Sequence, residues 1–318
     1  MSIKPPLIHK TRYISVDDDQ AGRRIDNFLM SYLKGVPKTR IYQMLRRGEV
    51  RINHGRIRQD YRLKAGDNLR LPPSYVQAPV KPGKPGLSVQ KILLDSVLYE
   101  DGFMMILNKP AGMAVHGGSK QKYSLIEALR ETIADGDNLE LVHRLDKATS
   151  GCLIISKRHD TLRKLNRMLQ QGMIEKKYLA LLQGSFNKKE LDVKLPLGKN
   201  ASKLYIGKIK IDYEGKKAYT KFRLMENFGI ASLVEISLLT GRTHQIRVHA
   251  AHMKHPVAGD DKYGNREFNK VMKQYGLRRL FLHACSLSFS HPVNNKKLAV
   301  TAALPDDLSE CLSYCKRK

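Results

Sequence analysis

Leu141-Val142-His143-Arg144-Leu145-Asp146-Lys147-Ala148-Thr149-Ser150-Gly151-Cys152-Leu153-Ile154-Ile155 is a stretch with apolar ends and a charged middle. The ends predict strands buried in a sheet, joined through one carboxylate, two cations and a Thr-Ser-Gly turn. Arg144 and Asp146 are two residues apart, so an extended backbone would place both side chains on one side of the strand. They form either a structural ion pair, which spacing alone favours, or a site that presents a carboxylate to a cleft.

The whole chain is long and strongly basic. Its 318 residues exceed one typical core, so we expect two domains. The 57 Lys and Arg against 30 Asp and Glu give a formal net charge of +27. This excess indicates a polyanionic partner, and a phosphate backbone fits it better than a membrane surface does. No apolar run approaches the length of a membrane span and residues 1–6 lack the apolar core of a signal peptide, so we expect a cytoplasmic protein.

The first 75 residues concentrate positive charge on two predicted elements. Apolar spacing predicts helices over residues 25–33 and 37–47 after an irregular start, and the polar face of the second helix is almost wholly cationic. Glu49 to Arg58 alternates around an Asn-His-Gly turn, which predicts a hairpin with further arginines. A solvated basic face is one explanation. The continuation of the cations from a helix onto a strand favours the other, which is phosphate contact along RNA.

Residues 23–72 resemble an S4-type RNA-binding domain, in which two helices precede a small sheet. The resemblance implies that the second helix and the next strand contact structured RNA. The residues expected there are Lys38, Arg40, Arg46, Arg47 and Arg51. We predict an S4 domain over residues 1–72, with its core at 23–72, a Pro/Gly-rich linker over 73–90 and a second domain over 91–318.

The second domain is predicted to be α+β, a mixed domain with a largely antiparallel sheet. Its predicted strands outnumber its helices and do not alternate with them regularly. A strand over Leu233 to Leu239 leads into a helix that Thr243 can cap, which would place Arg242 beside first-turn amides as an anion site. The lysine-rich segment from Lys199 to Lys221 is predicted as a surface hairpin with a strand over Leu204 to Ile211.

Several kinds of site can be weighed from residue types alone. His249 and His252 have metal-ligand spacing, but without a neighbouring carboxylate or an HExxH motif they predict no metal. Residues 117–120 lack the glycine spacing of a P-loop. Ser150 and Cys152 near His143 lack a nucleophile elbow. The four cysteines form no CxxC pair and are expected to be reduced. Asp146 remains as a nucleophile or base.

From residue 95 to 305 the chain resembles the RluA-type pseudouridine synthases. The motifs that carry this resemblance, in order, are His143 to Gly151, Lys177 to Ala180, and Gly241 to His249. An S4 domain ahead of them is typical of the ribosomal-RNA branch. Within that branch, further segments resemble an enzyme of large-subunit RNA: residues 34–38, 114–119 and 260–268. Cys152 departs from the pattern, since an aliphatic residue is usual there.

The resemblance implies site-specific conversion of uridine to pseudouridine in 23S rRNA by a monomer that needs no cofactor and no metal. It gives catalytic roles to Asp146, Tyr178 and Arg247. Asp146 would attack the ribose or the uracil ring, Arg247 rather than Arg144 would be its ion-pair partner, and Tyr178 would lie against the uracil. The residues expected to bind substrate and assist base flipping are Arg144, Leu145, Arg242, Ile246 and His143.

A non-catalytic RNA-binding or ribosome-assembly factor is the rival hypothesis. The basic S4-like segment alone would suffice for such a protein. Asp146 discriminates between the two, because a pure RNA binder has no need of an ionised carboxylate that faces an anionic ligand.

Overall fold

The computed structural model describes residues 7–9, 11–33, 36–76, 85–116, 124–134, 136–199 and 208–317. The chain divides into two compact units, Met1–Gly83 and Lys84–Lys318. The elements of the first unit are β1 (Leu7–His9), β2 (Arg12–Ser15), α1 (Ile25–Tyr32), α2 (Lys38–Arg46), β3 (Arg51–Ile52), β4 (Gly55–Arg56), β5 (Asn68–Leu71) and β6 (Ser74–Val76).

The first unit packs two helices against a small antiparallel sheet of order β2-β5-β3-β4. The apolar faces of α1 and α2 meet the inner face of β5 in one core, so the predicted helix pair is confirmed. The predicted hairpin is also confirmed. Its turn residues Asn53 and His54 have φ of 47° and 67°, as a two-residue hairpin turn requires. Strand β2 lies where an irregular start was predicted. That prediction was wrong because β2 is mostly exposed and is held by backbone pairing to β5.

The range 73–90 predicted as a linker contains regular structure at both ends. Its β6 pairs antiparallel with β1. A helix begins at Leu87 of the second unit. More of this range is therefore regular structure than its proline and glycine content suggested. Residues 77–84 lie outside the described part.

The second unit is built on one large sheet. Its elements are α3 (Leu87–Asp95), β7 (Val97–Glu100), β8 (Met104–Lys109), α4 (Leu125–Thr132), a 3₁₀ turn (Gly136–Asn138), β9 (Glu140–Leu141), β10 (Ser150–Ser156), α5 (His159–Gln170), β11 (Glu175–Gln183), β12 (Glu190–Val193), β13 (Leu197–Lys199), β14 (Ile209–Ile211), β15 (Thr220–Asn227), β16 (Ala231–Leu238), α6 (Gln245–His252), α7 (Arg266–Gln274), β17 (Leu282–Ser290), β18 (Lys297–Thr301) and α8 (Asp306–Lys316).

The strand order of the large sheet is β12-β15-β16-β11-β17-β10-β8-β7, with β18 on β17 and β9 on β10. Among the described strands, β10 with β17 is the one parallel pairing. The predicted mixed α+β domain with a largely antiparallel sheet is therefore confirmed. The lysine-rich hairpin pairs β13 with β14, while the first half of the strand predicted over Leu204 to Ile211 lies outside the described residues. In the described part of the chain, every helix is too short or too polar to cross a membrane.

Strand β10 is buried on both faces, which explains the unbroken apolar run Cys152–Ile155. Its alternate side chains enter two different cores, one packed against α4 and the other against α5. Gly151, at the start of this strand, has φ of 109°, and a Cβ there would lie 2.2 Å from the Ala284 carbonyl oxygen of β17. Only glycine permits this close approach of the two strands.

Candidate active site

The loop of residues 142–149, here called the Asp146 loop, joins β9 to β10 at the middle of the sheet. Leu141 of β9 pairs with Ile155 of β10, so the two strands form the base of the loop. The turn lies at Lys147 and Ala148, whereas Ser150 and Gly151 belong to β10. The predicted Thr-Ser-Gly turn was therefore wrong, because the close pairing of β10 with β17 extends the strand to Ser150.

A buried lysine, Lys109, is hydrogen-bonded to the backbone of the Asp146 loop. The Lys109 side chain is fully buried, and its ammonium donates to the carbonyl oxygens of Pro110 at 2.8 Å, Met113 at 2.8 Å and Lys147 at 3.2 Å. Burial lowers the pKa of Lys109 to about 7, against the opposing charge of Asp146. The three carbonyls satisfy the donors of this ammonium and tie the loop to the end of β8.

Ser150 also has a structural partner. Its hydroxyl lies 2.9 Å from Nδ1 of His283, and Nε2 of the same ring lies 3.1 Å from the Ala302 carbonyl oxygen. Nε2 therefore donates and Nδ1 accepts from the hydroxyl. Arg279 Nη1 donates to Ser150 Oγ at 3.2 Å. These bonds fasten β10 to β17 directly behind the Asp146 loop.

Arg247 of α6 binds two carboxylates at once. Its Nη1 donates to Asp146 Oδ2 at 3.1 Å, while Nε and Nη2 each donate to an oxygen of Asp260 at 2.8 Å. Burial by itself lowers the pKa of Arg247. The hydrogen bonds and charge of Asp260, together with Asp146, outweigh burial and hold the pKa above its ordinary value. The guanidinium is a permanent charge in a fixed orientation.

Asp260 is the more deeply buried of the two carboxylates and has more hydrogen-bond partners. Its side chain is 0% exposed against 18% for Asp146. Its Oδ1 also accepts from the backbone N–H groups of Lys262 at 2.8 Å and Tyr263 at 3.0 Å. Burial raises the pKa of Asp260, but the Arg247 bonds and these amides lower it by more. No role was predicted for Asp260. The sequence signals at this position were a Gly-Asp-Asp-Lys-Tyr-Gly loop and the family resemblance of residues 260–268.

The N-terminus of α6 is capped differently from the prediction. The N-cap residue is His244 in the left-handed conformation, with φ of 54°, and no side-chain cap bond is present at that position. The Gln245 side chain closes the preceding turn, because its Oε1 accepts from Arg242 N–H at 3.0 Å and from Thr240 Oγ1 at 2.8 Å. The predicted Thr243 cap was therefore wrong, and the amide of Arg242 is already bonded.

These groups surround a pocket that is open to solvent. Tyr178 of β11 is buried in its wall. Burial, and then the charge of Asp146, raise the pKa of Tyr178, so the phenol keeps its proton at neutral pH. The lining residues are Arg144, Leu145, Asp146, Thr149, Tyr178, Leu238, Gly241, Arg242, Thr243, His244, Gln245, Ile246, Arg247 and Leu282. The pocket thus brings together all the predicted residues of the second domain except His143.

Arg144, Arg242 and His143 have distinct surroundings. Arg144 is exposed at the pocket, and Arg242 Nε donates to the Lys217 carbonyl oxygen at 3.1 Å. His143 Nε2 accepts from Ile154 N–H at 3.1 Å. Burial lowers the pKa of His143 to about 3, so its ring is neutral. His143 therefore supports the strand next to the loop and lies outside the pocket lining.

The histidine pair that was considered as a metal site has other partners. His249 Nδ1 lies 2.8 Å from Thr220 Oγ1, and His249 Nε2 lies 2.9 Å from the Leu195 carbonyl oxygen. Both ring nitrogens of His249 are thereby engaged with the protein, which accounts for this residue as part of the packing of α6.

The predicted RNA-contacting cations of the first unit fall into two groups. Lys38, Arg46 and Arg47 are exposed on or next to α2. Arg40 instead binds Glu49 at 2.7 Å, and Arg51 Nε donates to the Gly48 carbonyl oxygen at 3.1 Å. The exposed side chains of the first group are accessible to phosphate, and Lys38 Nζ also lies 5.6 Å from the centroid of the Tyr42 ring.

Comparison with known proteins identifies the class. Residues 104–252 match the family model described as RNA pseudouridylate synthase, and residues 23–69 match the S4 domain. This match and the fold define an isomerase of the pseudouridine synthase class that carries an S4 RNA-binding domain.

Two curated relatives match nearly the whole chain, and both are named Ribosomal large subunit pseudouridine synthase C. The protein of Yersinia pestis is 45% identical, over 94% of each chain. The protein of Vibrio cholerae is 43% identical, over 97% of this chain and 98% of its own. The chain belongs to the pseudouridine synthase family that these relatives represent.

Solved structures agree with this assignment. Human RNA Pseudouridylate Synthase Domain Containing 1 has a TM-score of 0.58 and 26% identity, over 72% of this chain and 90% of its own. Human RNA Pseudouridylate Synthase Domain Containing 4 shares the fold with a TM-score of 0.61 and 23% identity, over 72% and 96%. The expectation of an enzyme with an α+β catalytic domain is confirmed.

Proposed function

We propose that this enzyme converts specific uridines of large-subunit ribosomal RNA to pseudouridine, with Asp146 as the group that attacks the nucleotide. The observation that carries the proposal is the Asp146 carboxylate, which lies in the pocket 3.1 Å from Arg247 Nη1 with Tyr178 in the same wall. The names of the curated relatives support the choice of RNA.

The chemistry fits these residue types. Isomerisation breaks the bond between C1′ and N1 and joins C1′ to C5 of the same base, so no redox change and no energy input are needed. A carboxylate can add to the ribose or to C6 of the ring and then leave again. When bound substrate excludes water from the site, the buried positive charge of Arg247 compensates the negative charge of Asp146.

The target uridine must leave its stack before it can reach Asp146. Arg144 is exposed at the pocket, and its planar guanidinium is suited to enter the vacated stack and to bind phosphate. Leu145 and Ile246 supply an apolar wall for the flipped base, and Arg242 lies at the same opening. We infer that Arg144 exchanges places with the uridine.

Tyr178 would act late in the reaction. After C5 has joined C1′, a proton must leave C5, and Tyr178 lies in the pocket beside the expected base. Its raised pKa means that the group present is a hydroxyl, not a phenolate. In this proposal the Tyr178 hydroxyl receives the proton from C5 and releases its own to solvent, while N1, which has lost its bond to C1′, takes up one proton.

Replacement of Asp146 by Asn tests the proposal. We expect Asp146→Asn to abolish tritium release from 5-tritiated uridine in rRNA, because an amide is a poor nucleophile, and to leave RNA affinity nearly unchanged. Pseudouridine mapping of rRNA treated with the wild-type and variant enzymes identifies the sites. Retained isomerisation by Asp146→Asn would eliminate this mechanism, whereas loss of RNA binding would show that the variant is misfolded or that Asp146 serves binding.

A further inference from the structure

His244 faces the reacting carboxylate but has no role in the proposal above. Its side chain is 16% exposed and lines the pocket, with Nε2 3.7 Å from Asp146 Oδ2. Its backbone is left-handed, with φ of 54°. Among residues with side chains, histidine is one of the few that tolerate this conformation well. The conformation directs the ring between Asp146 and Tyr263.

The contacts of His244 with Asp146 and Tyr263 favour one tautomer of its ring. The Tyr263 hydroxyl oxygen accepts from Ile209 N–H at 2.9 Å and lies 2.9 Å from His244 Nδ1. Because the Asp146 carboxylate that faces Nε2 can only accept, the neutral ring is favoured with its proton on Nε2, which leaves Nδ1 to accept from the Tyr263 hydroxyl. The Tyr263 ring is held in place by Arg247, whose guanidinium carbon lies 5.1 Å from the ring centroid.

The His244 ring stays neutral in this setting. Burial lowers its pKa, the charge of Asp146 opposes this, and Arg247 and Lys262 lower the pKa further while Asp260 opposes them. These are the charged groups that face His244 from the Asp146 loop, from α6 and from the loop after it. At neutral pH the group directed at Asp146 is therefore an uncharged Nε2–H.

The two oxygens of Asp146 are consequently not equivalent. In the described part of the chain, the side-chain partners of Asp146 all lie on Oδ2, which binds Arg247 and faces His244. Oδ1 remains for the substrate. The separation of 3.7 Å is longer than a hydrogen bond, and such contacts commonly shorten when substrate closes a catalytic site.

We propose that His244 is a positioning residue: its Nε2–H, in the tautomer favoured by Asp146 and Tyr263, orients the Asp146 carboxylate so that Oδ1 is the attacking oxygen. The inference rests on the proposed role of Asp146. It adds a residue that acts through the carboxylate and does not itself react.

Two substitutions of His244 distinguish the effect of losing the Nε2–H donor from the effect of disturbing the local backbone. Asn favours the left-handed conformation and reaches only the Nδ1 position, whereas Gln carries an amide N–H at the Nε2 position. We expect His244→Asn to lower kcat by about tenfold to hundredfold with KM changed less than about threefold, the rate equivalent of one lost hydrogen bond to a charged group. His244→Gln should stay within about threefold of wild type. His244→Asn as fast as wild type, or His244→Gln as slow as His244→Asn, would overturn the proposal.

A spectroscopic measurement tests the tautomer directly. In protein labelled with ¹⁵N-histidine, the His244 signals, assigned by their loss in His244→Gln, should show a protonated Nε2 and an unprotonated Nδ1. Tyr263→Phe should give mixed tautomers and a lower kcat. A protonated Nδ1 in the wild-type protein would refute the inference. A wild-type enzyme that releases no tritium would instead refute the proposed function, and the spectrum would still decide the tautomer.

Discussion

The pocket and the first unit use positive charge in opposite ways. In the pocket, Arg247 is buried between two carboxylates at 2.8 to 3.1 Å. On α2, Arg46 and the adjacent Arg47 are exposed. A buried and paired cation has a fixed orientation, and removing its partner costs folding free energy. An exposed cation contributes little to folding, and its interaction with RNA weakens with salt. Composition alone counts both kinds equally.

The largest expected effect concerns the carboxylate that holds Arg247. Asp260→Asn removes the two-point partner of a buried guanidinium, so we expect the free energy of unfolding to fall by about 3 to 5 kcal/mol. Asp146→Asn is the matched control: Arg247 keeps Asp260, and the loss should stay below about 1.5 kcal/mol. Urea denaturation of both variants measures the difference. Equal losses would mean that the two carboxylates share the structural role.

Acid should destabilise the folded protein through His143. Its pKa in the folded protein is about 3, below the value near 6.5 of an unfolded chain, so the unfolded state binds a proton first as the pH falls. Stability from this group is present at neutral pH and is lost as the pH falls from about 6.5 towards 3. Between about pH 7 and about pH 5, the wild-type protein should lose up to about 2 kcal/mol of unfolding free energy from this source.

His143→Gln is the control for that measurement, because the Gln side-chain oxygen can accept from Ile154 N–H without titrating. The variant should therefore lose less unfolding free energy than wild type over the same pH range in urea titrations. The same pH dependence in both proteins would show that His143 takes up its proton at an ordinary pKa while folded.

Local sequence patterns predict much of this molecule. Apolar spacing places the helix pair of the first unit and strand β10 after the Asp146 loop, because these elements bury a continuous face. Family resemblance links Asp146 to Arg247, which is 101 residues away and has no local signal. Strand β2 was missed because it buries little.

The anchoring contacts around the pocket could not be predicted from sequence. Asp260 has its role only because α6 brings Arg247 beside it. The wrong prediction of a Thr243 cap has a related cause. A single left-handed residue, His244, displaces the helix start and lets the Gln245 side chain close the turn. Periodicity reports which face is buried, but a bond between distant side chains depends on the assembled fold.

The smallest expected effect concerns RNA binding by the first unit. If Arg46 and Arg47 each neutralise one phosphate, the double substitution Arg46→Ala with Arg47→Ala should reduce the log–log dependence of affinity on salt by about 1.4 to 1.8. Arg40→Ala is the control within the same helix. Because Glu49 binds Arg40 at 2.7 Å, its loss should change the slope by less than that of either exposed arginine. Binding of an rRNA fragment over a range of salt concentrations gives the slopes. An unchanged slope in the double variant would show that exposure on α2 does not mark the RNA-binding face, and a large change in Arg40→Ala would show that RNA displaces Glu49 from its ion pair.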